Sequence, residues 1–337
     1  MSTVDATDTR QRIIDEVNGA DKFVLVTHEN PDGDALGSLV GMHQVLLALG
    51  KDSIMYMAAE ELPLPHEYRF FDFEGLQSFP PPDLDERTIV FLDCGNIDRN
   101  PADAFKRDEA HILNIDHHHD NTRFGTVDHV VQRASCTAEI VWDLMGGLGV
   151  KATIEIAEAL YVGLVTDTGK FMYENTGPRA HLMAAEMIVA GVDVHGIYRR
   201  LYEGMPYSKL ALLSRGLDNV QRFDDGRLTI TRLRREDFRA SGAQESYSEG
   251  IIDLLRSVAG TKVAALAREL SDNGDDAARG GVTRKKVSLR ATDGEVDVSI
   301  IARAGGGGGH RQAAGFSTQM DDDELVVFLR EQVAAQL

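Results

Sequence analysis

Short apolar runs that stop at acidic or histidine side chains constrain this chain more than any other feature. Residues 23–26, Phe-Val-Leu-Val, end at Thr27-His28, the turn Glu29-Asn30-Pro31-Asp32-Gly33 follows, and an apolar periodic segment then runs from about 35 to 49. The order is strand, loop, helix. Further β-like runs cover 53–57, 88–92 and 111–115, and all but 53–57 lead straight into an acid or a histidine. Their alternation with helix-like stretches at 138–145, 154–165 and 179–189 predicts a parallel α/β sheet. Ligands of such sheets bind beyond the carboxyl ends of the strands. These polar side chains fall there.

The second half is patterned differently. Residues 193–220 predict a helical connector, 227–233, 262–270 and 285–291 predict strands, 248–258 and 324–335 predict helices, and 271–281 predict a polar loop. The expected fold class is α/β, with a parallel sheet flanked by helices over 1–192, the connector over 193–220 and a smaller mixed-sheet domain over 221–337. Charge divides along the same line. Within a net charge of −19, residues 1–204 carry 16 basic and 34 acidic side chains, whereas 205–337 carry 19 and 20. The first half can gather cations on its carboxylates, and the near-neutral second can accept an anionic ligand with local basic groups. Long duplex nucleic acid is not an expected partner, because binding a phosphate backbone needs basic surface. The N-terminal residues are polar, and no stretch approaches the roughly 18 apolar residues of a membrane span. Cys94 and Cys136 are too few for a disulfide scaffold and lack metal-binding spacing. A soluble, cytoplasmic protein without a membrane partner is expected.

The densest local feature is His28-Glu-Asn-Pro-Asp32-Gly-Asp34-Ala-Leu-Gly37-Ser38, which puts an imidazole and two carboxylates on one tight loop between strand and helix. Pro31 and Gly33 supply the turn. Asp34 could instead be the helix N-cap, but capping needs one Asp and leaves His28 and Asp32 unexplained. Asp93 closes the run 88–92, and Asp116-His117-His118-His119-Asp120 follows 112–115 at a strand terminus. Asp167 ends the apolar segment before Thr168-Gly-Lys-Phe171, where a helix C-terminus disfavours an uncompensated acid and a nearby cation would resolve the conflict. Together His28, Asp32, Asp34, Asp93, His117 and Asp167 form a nitrogen-and-oxygen set large enough for two divalent cations. Without a cation the carboxylates would repel and raise one another's pKa. Ligands of this type point to Mn2+ first, with Mg2+, Co2+ or Zn2+ also compatible. Two ions about 3.5–4 Å apart would activate water for in-line phosphoryl displacement, so phosphoester hydrolysis is the predicted reaction.

With these motifs in view the chain resembles the DHH/DHHA1 phosphoesterases, and within them the NrnA-type enzymes that act as nanoRNA exonuclease, pAp phosphatase and, in some members, cyclic-di-AMP phosphodiesterase. The resemblance spans nearly the whole chain and rests on His28-x-x-x-Asp32-x-Asp34, Asp93, Asp116-His117-His118, Asp167, and Gly307-Gly-Gly309-His310 with Ala313-Ala-Gly315. It implies that His28, Asp32 and Asp93 hold one metal and Asp34, Asp93, His117 and Asp167 the other, with Asp93 as the bridge. It implies further that His118 contacts the scissile phosphate while Asp116 orients the imidazoles. His119 stays unassigned. In the second domain the resemblance assigns Gly307, Gly308, Gly309 and His310 to a substrate-binding loop that closes over the metal site, and Arg290 to a phosphate contact. Glycines let a backbone approach an anion closely. The plainer alternatives are a flexible linker for the glycine tract and a solvated strand end for Arg290. Dimerisation is expected by resemblance alone.

Other polar and aromatic residues have bland readings. Trp142, Phe171 and Tyr173 are expected in core or cleft wall, His43 as a packed histidine and Cys94 as a small buried residue. The groups Arg232, Arg234, Arg235 and Arg284, Lys285, Lys286 read as solvated faces, with a shallow track for a short strand as a secondary reading. The resulting expectation is a two-metal phosphodiesterase acting on short oligoribonucleotides such as pApA, on cyclic di-AMP, or on pAp, because a small substrate meets less repulsion from an acidic protein. A manganese pyrophosphatase is disfavoured by the glycine-His motif, and a non-catalytic nucleotide sensor by the full ligand set.

Overall fold

In the computed structural model, residues 6–64, 66–107, 109–248, 250–270, 284–309 and 311–337 are described. The polar loop expected at 271–281 and His310 lie outside the described residues. The chain divides into two compact units, Met1–Gly204 and Met205–Leu337.

The first unit opens with α1 (Ala6–Gly19), β1 (Lys22–Val26), α2 (Gly33–Ala48) and β2 (Asp52–Tyr56). The short β3 (Leu76–Gln77), then β4 (Thr88–Leu92), β5 (Ile112–Asp116) and β6 (Val127–Val130) complete its sheet. Four helices follow: α3 (Thr137–Gly147), α4 (Ile154–Asp167), α5 (Pro178–Val189) and α6 (Val194–Tyr202). The six strands run in the order β3-β2-β1-β4-β5-β6, and every pairing is parallel. Strands buried on both faces need apolar residues at successive positions, and β4, Thr-Ile-Val-Phe-Leu, is buried throughout. Phe23, Leu25, Val90, Leu92, Leu113 and Ile115 face a core shared with the helices. Val24, Val26, Ile89 and Phe91 point the other way, where Leu84 and Phe105 from single 3-10 turns and Phe124 from a loop cover the sheet.

Helices α2 and α4 approach closely, which is the reason for Gly37. A Cβ there would collide with the Ala159 carbonyl oxygen and come within 2.9 Å of the Gly163 nitrogen. The contact brings the start of α2 and the end of α4 to the same edge of the sheet. Trp142 is buried and its Nε1 donates to Glu186 Oε2 at 2.7 Å, and half-buried Phe171 stacks on His181. His43 is a packed histidine, bonded through Nδ1 to Ser53 Oγ at 2.9 Å. Tyr173 departs from expectation: it is exposed, because it belongs to the turns after α4 rather than to a core element.

The second unit contains α7 (Tyr207–Asp218), β7 (Gln221–Phe223), β8 (Leu228–Leu233), α8 (Arg235–Ser241) and α9 (Ile251–Arg256). It continues with β9 (Val263–Glu269), β10 (Lys285–Ala291), α10 (Val298–Ala304), β11 (Gly308–Gly309), β12 (Ala313–Thr318) and α11 (Asp322–Ala334). Strand order is β11-β12-β10-β9-β8-β7, with only β8–β9 parallel. The helical stretch at 193–220 is shared between the units: Ile197 and Leu201 of α6 pack into the first core, and Leu212 of α7 packs against β8 and β9. Alternation along β9 and β10 sends Ala265, Ala267, Val287 and Leu289 to one face and Ala264 and Leu266 to the other.

The basic residues of this unit are not uniformly solvated. Lys285 is buried, and its Nζ donates to Asp322 Oδ1 at 2.6 Å and to the Met320 carbonyl at 3.0 Å. Arg235 Nε donates to the Leu270 carbonyl at 2.6 Å. Burying a charge is tolerable only with a partner in hand, and Asp322 supplies one. Among the described residues no single helix is long and apolar enough to cross a membrane.

Candidate metal centre

The loop after β1 turns at Asn30, whose φ of +51° lies in the left-handed region that Asn tolerates. Asp32 then caps α2: its Oδ1 accepts from the Asp34 and Ala35 amides at 3.0 and 3.1 Å. The capping role considered for Asp34 therefore belongs to Asp32. Asp34 sits in the first turn, 1% exposed, with its carboxylate directed at the start of α3. Its Oδ2 accepts from the Thr137 amide at 2.6 Å and its Oδ1 from the Ala138 amide at 2.9 Å and from Ser38 Oγ at 3.2 Å. The first amides of a helix have no partner inside it, so α3 gives them to a buried acid.

Asp93 follows β4 with φ +56°, a strained conformation for most side chains. Thr137 Oγ1 donates to its Oδ1 at 3.0 Å. Asp116 is the last residue of β5, fully buried, and accepts from His118 Nδ1 at 2.7 Å and Asn121 Nδ2 at 2.6 Å. Asp167 ends α4, and Asn175 Nδ2 donates to its Oδ2 at 3.1 Å and to the Ser135 carbonyl at 2.8 Å. Parallel strands explain the convergence: β1, β4 and β5 are adjacent and point the same way, so their C-terminal residues share one edge.

At that edge the donors face one another. His28 Nδ1 donates to the Glu29 carbonyl at 2.7 Å, which leaves Nε2 facing Asp93 Oδ2 at 3.7 Å. His117 Nε2 lies 3.6 Å from Asp93 Oδ1, 3.7 Å from Asp167 Oδ2 and 3.9 Å from Asp34 Oδ2. Three groups have donor atoms within 4.8 Å of one another: His28, Asp32 and Asp93; Asp34, His117 and Asp167; and Asp93, His117 and His118. Spacings of 3.6–3.9 Å are too long for hydrogen bonds. They leave room between the atoms for an ion that several contact at once. Carboxylate oxygen and neutral imidazole are the donors hard and borderline divalent cations take, so the residues present fit a divalent metal.

The electrostatics carry the same signature. Burial, reinforced by the charges of Asp93, Asp167 and Asp32, pushes the Asp34 carboxyl well above its usual range. Burial also raises Asp167, to about 6, with His117 opposing and Asp93 and Asp32 adding to the shift. Asp93 moves the other way: burial would raise it, but His28, His118 and His117 surround it and hold it low. His118 is lifted to about 9, since the bond to Asp116 and the charge of Asp93 outweigh its burial. Buried carboxylates that repel one another are what a cation neutralises.

Every ligand expected in the first domain lies in this cluster, and Asp116 and His118 adjoin it. Arg290 is half-buried on β10, and Gly307–Gly309 precede and form β11, in the second unit. His119 is exposed, and its carbonyl accepts from Gln132 Nε2 at 3.0 Å. Sequence reading missed Ser38, Asn121, Thr137 and Asn175, neutral donors that hold the acids. Ser38, four residues after Asp34 on one helix face, carried a readable signal. Thr137, more than a hundred residues from Asp34, carried none.

Residues 22–164 match the DHH family, N-terminal domain, and residues 228–335 match the DHHA1 domain. Over 293 residues the chain is 35% identical to the bifunctional oligoribonuclease and PAP phosphatase NrnA of Thermus thermophilus, covering 85% of each sequence. An exopolyphosphatase-related protein from Bacteroides fragilis shares the fold, with a TM-score of 0.82 over 99% of this chain and 98% of that one at 23% identity. RecJ from Thermus thermophilus in complex with Mn2+ shares it more loosely, with a TM-score of 0.55 over 99% of this chain and 55% of that one at 14% identity.

Proposed function

The chain belongs to the DHH family and carries its DHHA1 domain, and from that membership we propose that it is a two-metal phosphoesterase that hydrolyses very short oligoribonucleotides to 5′-mononucleotides and pAp to AMP. One observation carries the proposal: Asp93 turns one carboxylate oxygen toward His28, at 3.7 Å, and the other toward His117, at 3.6 Å. A bridging carboxylate needs that arrangement. His28, Asp32 and Asp93 would hold one ion, and Asp34, Asp93, His117 and Asp167 the other. Mn2+ suits these donors best, and RecJ, of the same fold, binds it. When bound, such ions supply Lewis acidity to phosphoryl oxygens and lower the pKa of water.

The chain's own residues supply orientation and one proton-bearing contact. Asp116, held by Asn121, keeps His118 Nδ1 engaged at 2.7 Å. The bond to Asp116 favours the protonated form of His118 against its burial, and Nε2–H would be presented to a non-bridging phosphate oxygen. Thr137 fixes the oxygen of Asp93 that faces His117. In the second unit Arg290 and the Gly307–Gly309 backbone, with His310, would recognise the nucleotide. The excess of acids in residues 1–204 favours substrates with few phosphates. Cyclic di-AMP offers the same bond and is included in the proposal, as are a cytoplasmic location and pairing of two chains.

The deciding experiment is a competition of purified protein with Mn2+ against pApA, cyclic di-AMP, pAp, pyrophosphate and a long single strand, read by product chromatography. AMP released from pApA and pAp is the expected outcome. Turnover of pyrophosphate alone, or of nothing after metal loading, would reject the reading.

A further inference from the structure

Strand β5 holds a polar side chain where burial on both faces calls for an apolar one. Asn114, its middle residue, is fully buried, and a buried amide costs stability unless it is hydrogen-bonded. Two residues further on, on the same face of the strand, stands Asp116. Across the ladder, β6 places Asp128 directly opposite Asn114. Asn114 Nδ2 donates to Asp128 Oδ1 and to Asn121 Oδ1, both at 3.0 Å, and Asn121 Nδ2 donates to Asp116 Oδ2 at 2.6 Å. A continuous chain of hydrogen bonds therefore runs from Asp128, on the last strand in the sheet order, through two side-chain amides to the acid that holds His118 Nδ1.

That chain has one direction. A side-chain amide can be turned over to exchange its oxygen and nitrogen, and only its partners decide which way it faces. Both ends here are one-way groups. Asp128 Oδ1 is a carboxylate oxygen that accepts also from the Gly125 amide, at 2.9 Å, and the Arg123 backbone amide donates to Asn121 Oδ1 at 2.7 Å. Turning Asn114 over would set its oxygen against Asp128 Oδ1 and Asn121 Oδ1. Turning Asn121 over would set its oxygen against Asp116 Oδ2 and its nitrogen against the Arg123 N–H. Asn121 is thus held with an N–H toward Asp116 Oδ2, and Asp116 Oδ1 is left for His118 Nδ1 at 2.7 Å. Space is tight as well: a Cβ at Gly125 would come within 2.9 Å of both Asn114 Cβ and Asp128 Oδ1.

We propose that Asn114 and Asp128 are positioning residues for His118: they set the orientation of the Asn121 amide and, through Asp116, hold the imidazole with Nδ1 engaged and Nε2 left for the substrate. The inference rests on the phosphoesterase reading above and extends it to two residues that act only through others. Groups that orient an active-site imidazole from behind matter through the precision of its placement.

The test compares Asp128→Leu, Asp128→Asn and Gly125→Ala in the full-length chain. The bonds from Asn114 and Gly125 end on one oxygen of Asp128, so Asn can keep both and Leu neither. In metal-free protein the His118 Nδ1 proton is followed by NMR and assigned by its loss in His118→Gln. Its exchange with solvent should be roughly fivefold faster in Asp128→Leu and Gly125→Ala, the equivalent of one hydrogen bond lost, and close to unaltered in Asp128→Asn. With Mn2+ and pApA, kcat should fall between about tenfold and a hundredfold in the same two variants, with KM and Mn2+ affinity unchanged. A merely structural role would not separate kcat from the other two. An unchanged proton and unchanged kcat in Asp128→Leu and Gly125→Ala would overturn the proposal, as would equal losses in Asp128→Asn and Asp128→Leu. If the unaltered chain cleaves no pApA, the phosphoesterase reading fails, and the proton alone decides whether Asn114 and Asp128 hold His118.

Discussion

Among the described residues the two sheets have six strands each, and they handle charge in opposite ways. In the first, every strand is parallel and β4 and β5 are buried on both faces, and where β1, β4 and β5 end acids crowd acids. In the second, mostly antiparallel, buried residues alternate with more exposed ones along β10, and its buried cation, Lys285, is matched by Asp322 from its own unit. The first arrangement is left with a deficit of positive charge that its three imidazoles only partly meet; the second is nearly neutral internally. A protein that leaves buried carboxylates unmatched has built a place for something it does not encode.

Asp93→Asn should break the comparison most severely. Asn tolerates the left-handed backbone at this position, so the fold should survive and metal-free melting should not fall. Turnover of pApA should drop by about a thousandfold or more, as expected when a metal-bridging group is lost. Steady-state kinetics with thermal melting checks both. Lys285→Met reverses the logic in the second unit, removing the nearest cation from Asp322, which keeps Arg234 at 3.4 Å, and should lower stability by about 1 kcal/mol in urea denaturation whether or not Mn2+ is present. A stability loss appearing only in the presence of metal would show that this pair is not independent of the metal centre.

Thr137→Val keeps the shape of the side chain and removes the donor to Asp93 Oδ1. Mn2+ affinity by titration calorimetry should fall roughly tenfold, the low end for groups that orient metal ligands. The smallest effect concerns pH. Asp167 titrates at its ordinary 3.8 when unfolded and at about 6 when folded. The metal-free folded chain therefore holds that proton more tightly, and this contribution to stability is lost as pH rises from about 4 through 6. A cation needs the ionised form, so the rise in melting temperature caused by Mn2+ should be a few degrees larger near pH 7.5 than near pH 5. Equal shifts at the two pH values would show that Asp167 does not bind the ion.

Legibility in the sequence followed locality. The runs at 23–26, 88–92 and 112–115 announced strands because burial on both faces demands consecutive apolar residues, and the acids after them were visible as the next letters. Helix α1 escaped because it is mostly polar, and β12 because its Ala313-Ala-Gly315 was legible as a motif before it was legible as a strand. Lys285 looked solvated because Asp322, its partner, lies on a different element and is reached only when β10 and α11 pack.

By itself the amino-acid order determined which side chains end each strand, and therefore the chemical inventory of the centre: imidazole and carboxylate, without thiolate. Only the tertiary structure decided how that inventory is held. Ser38, Thr137 and Asn175 donate to Asp34, Asp93 and Asp167, and α3 directs two backbone amides at a buried acid. A neutral donor leaves no mark in composition or periodicity. Its role exists only once folding carries it within about 3 Å of its acceptor.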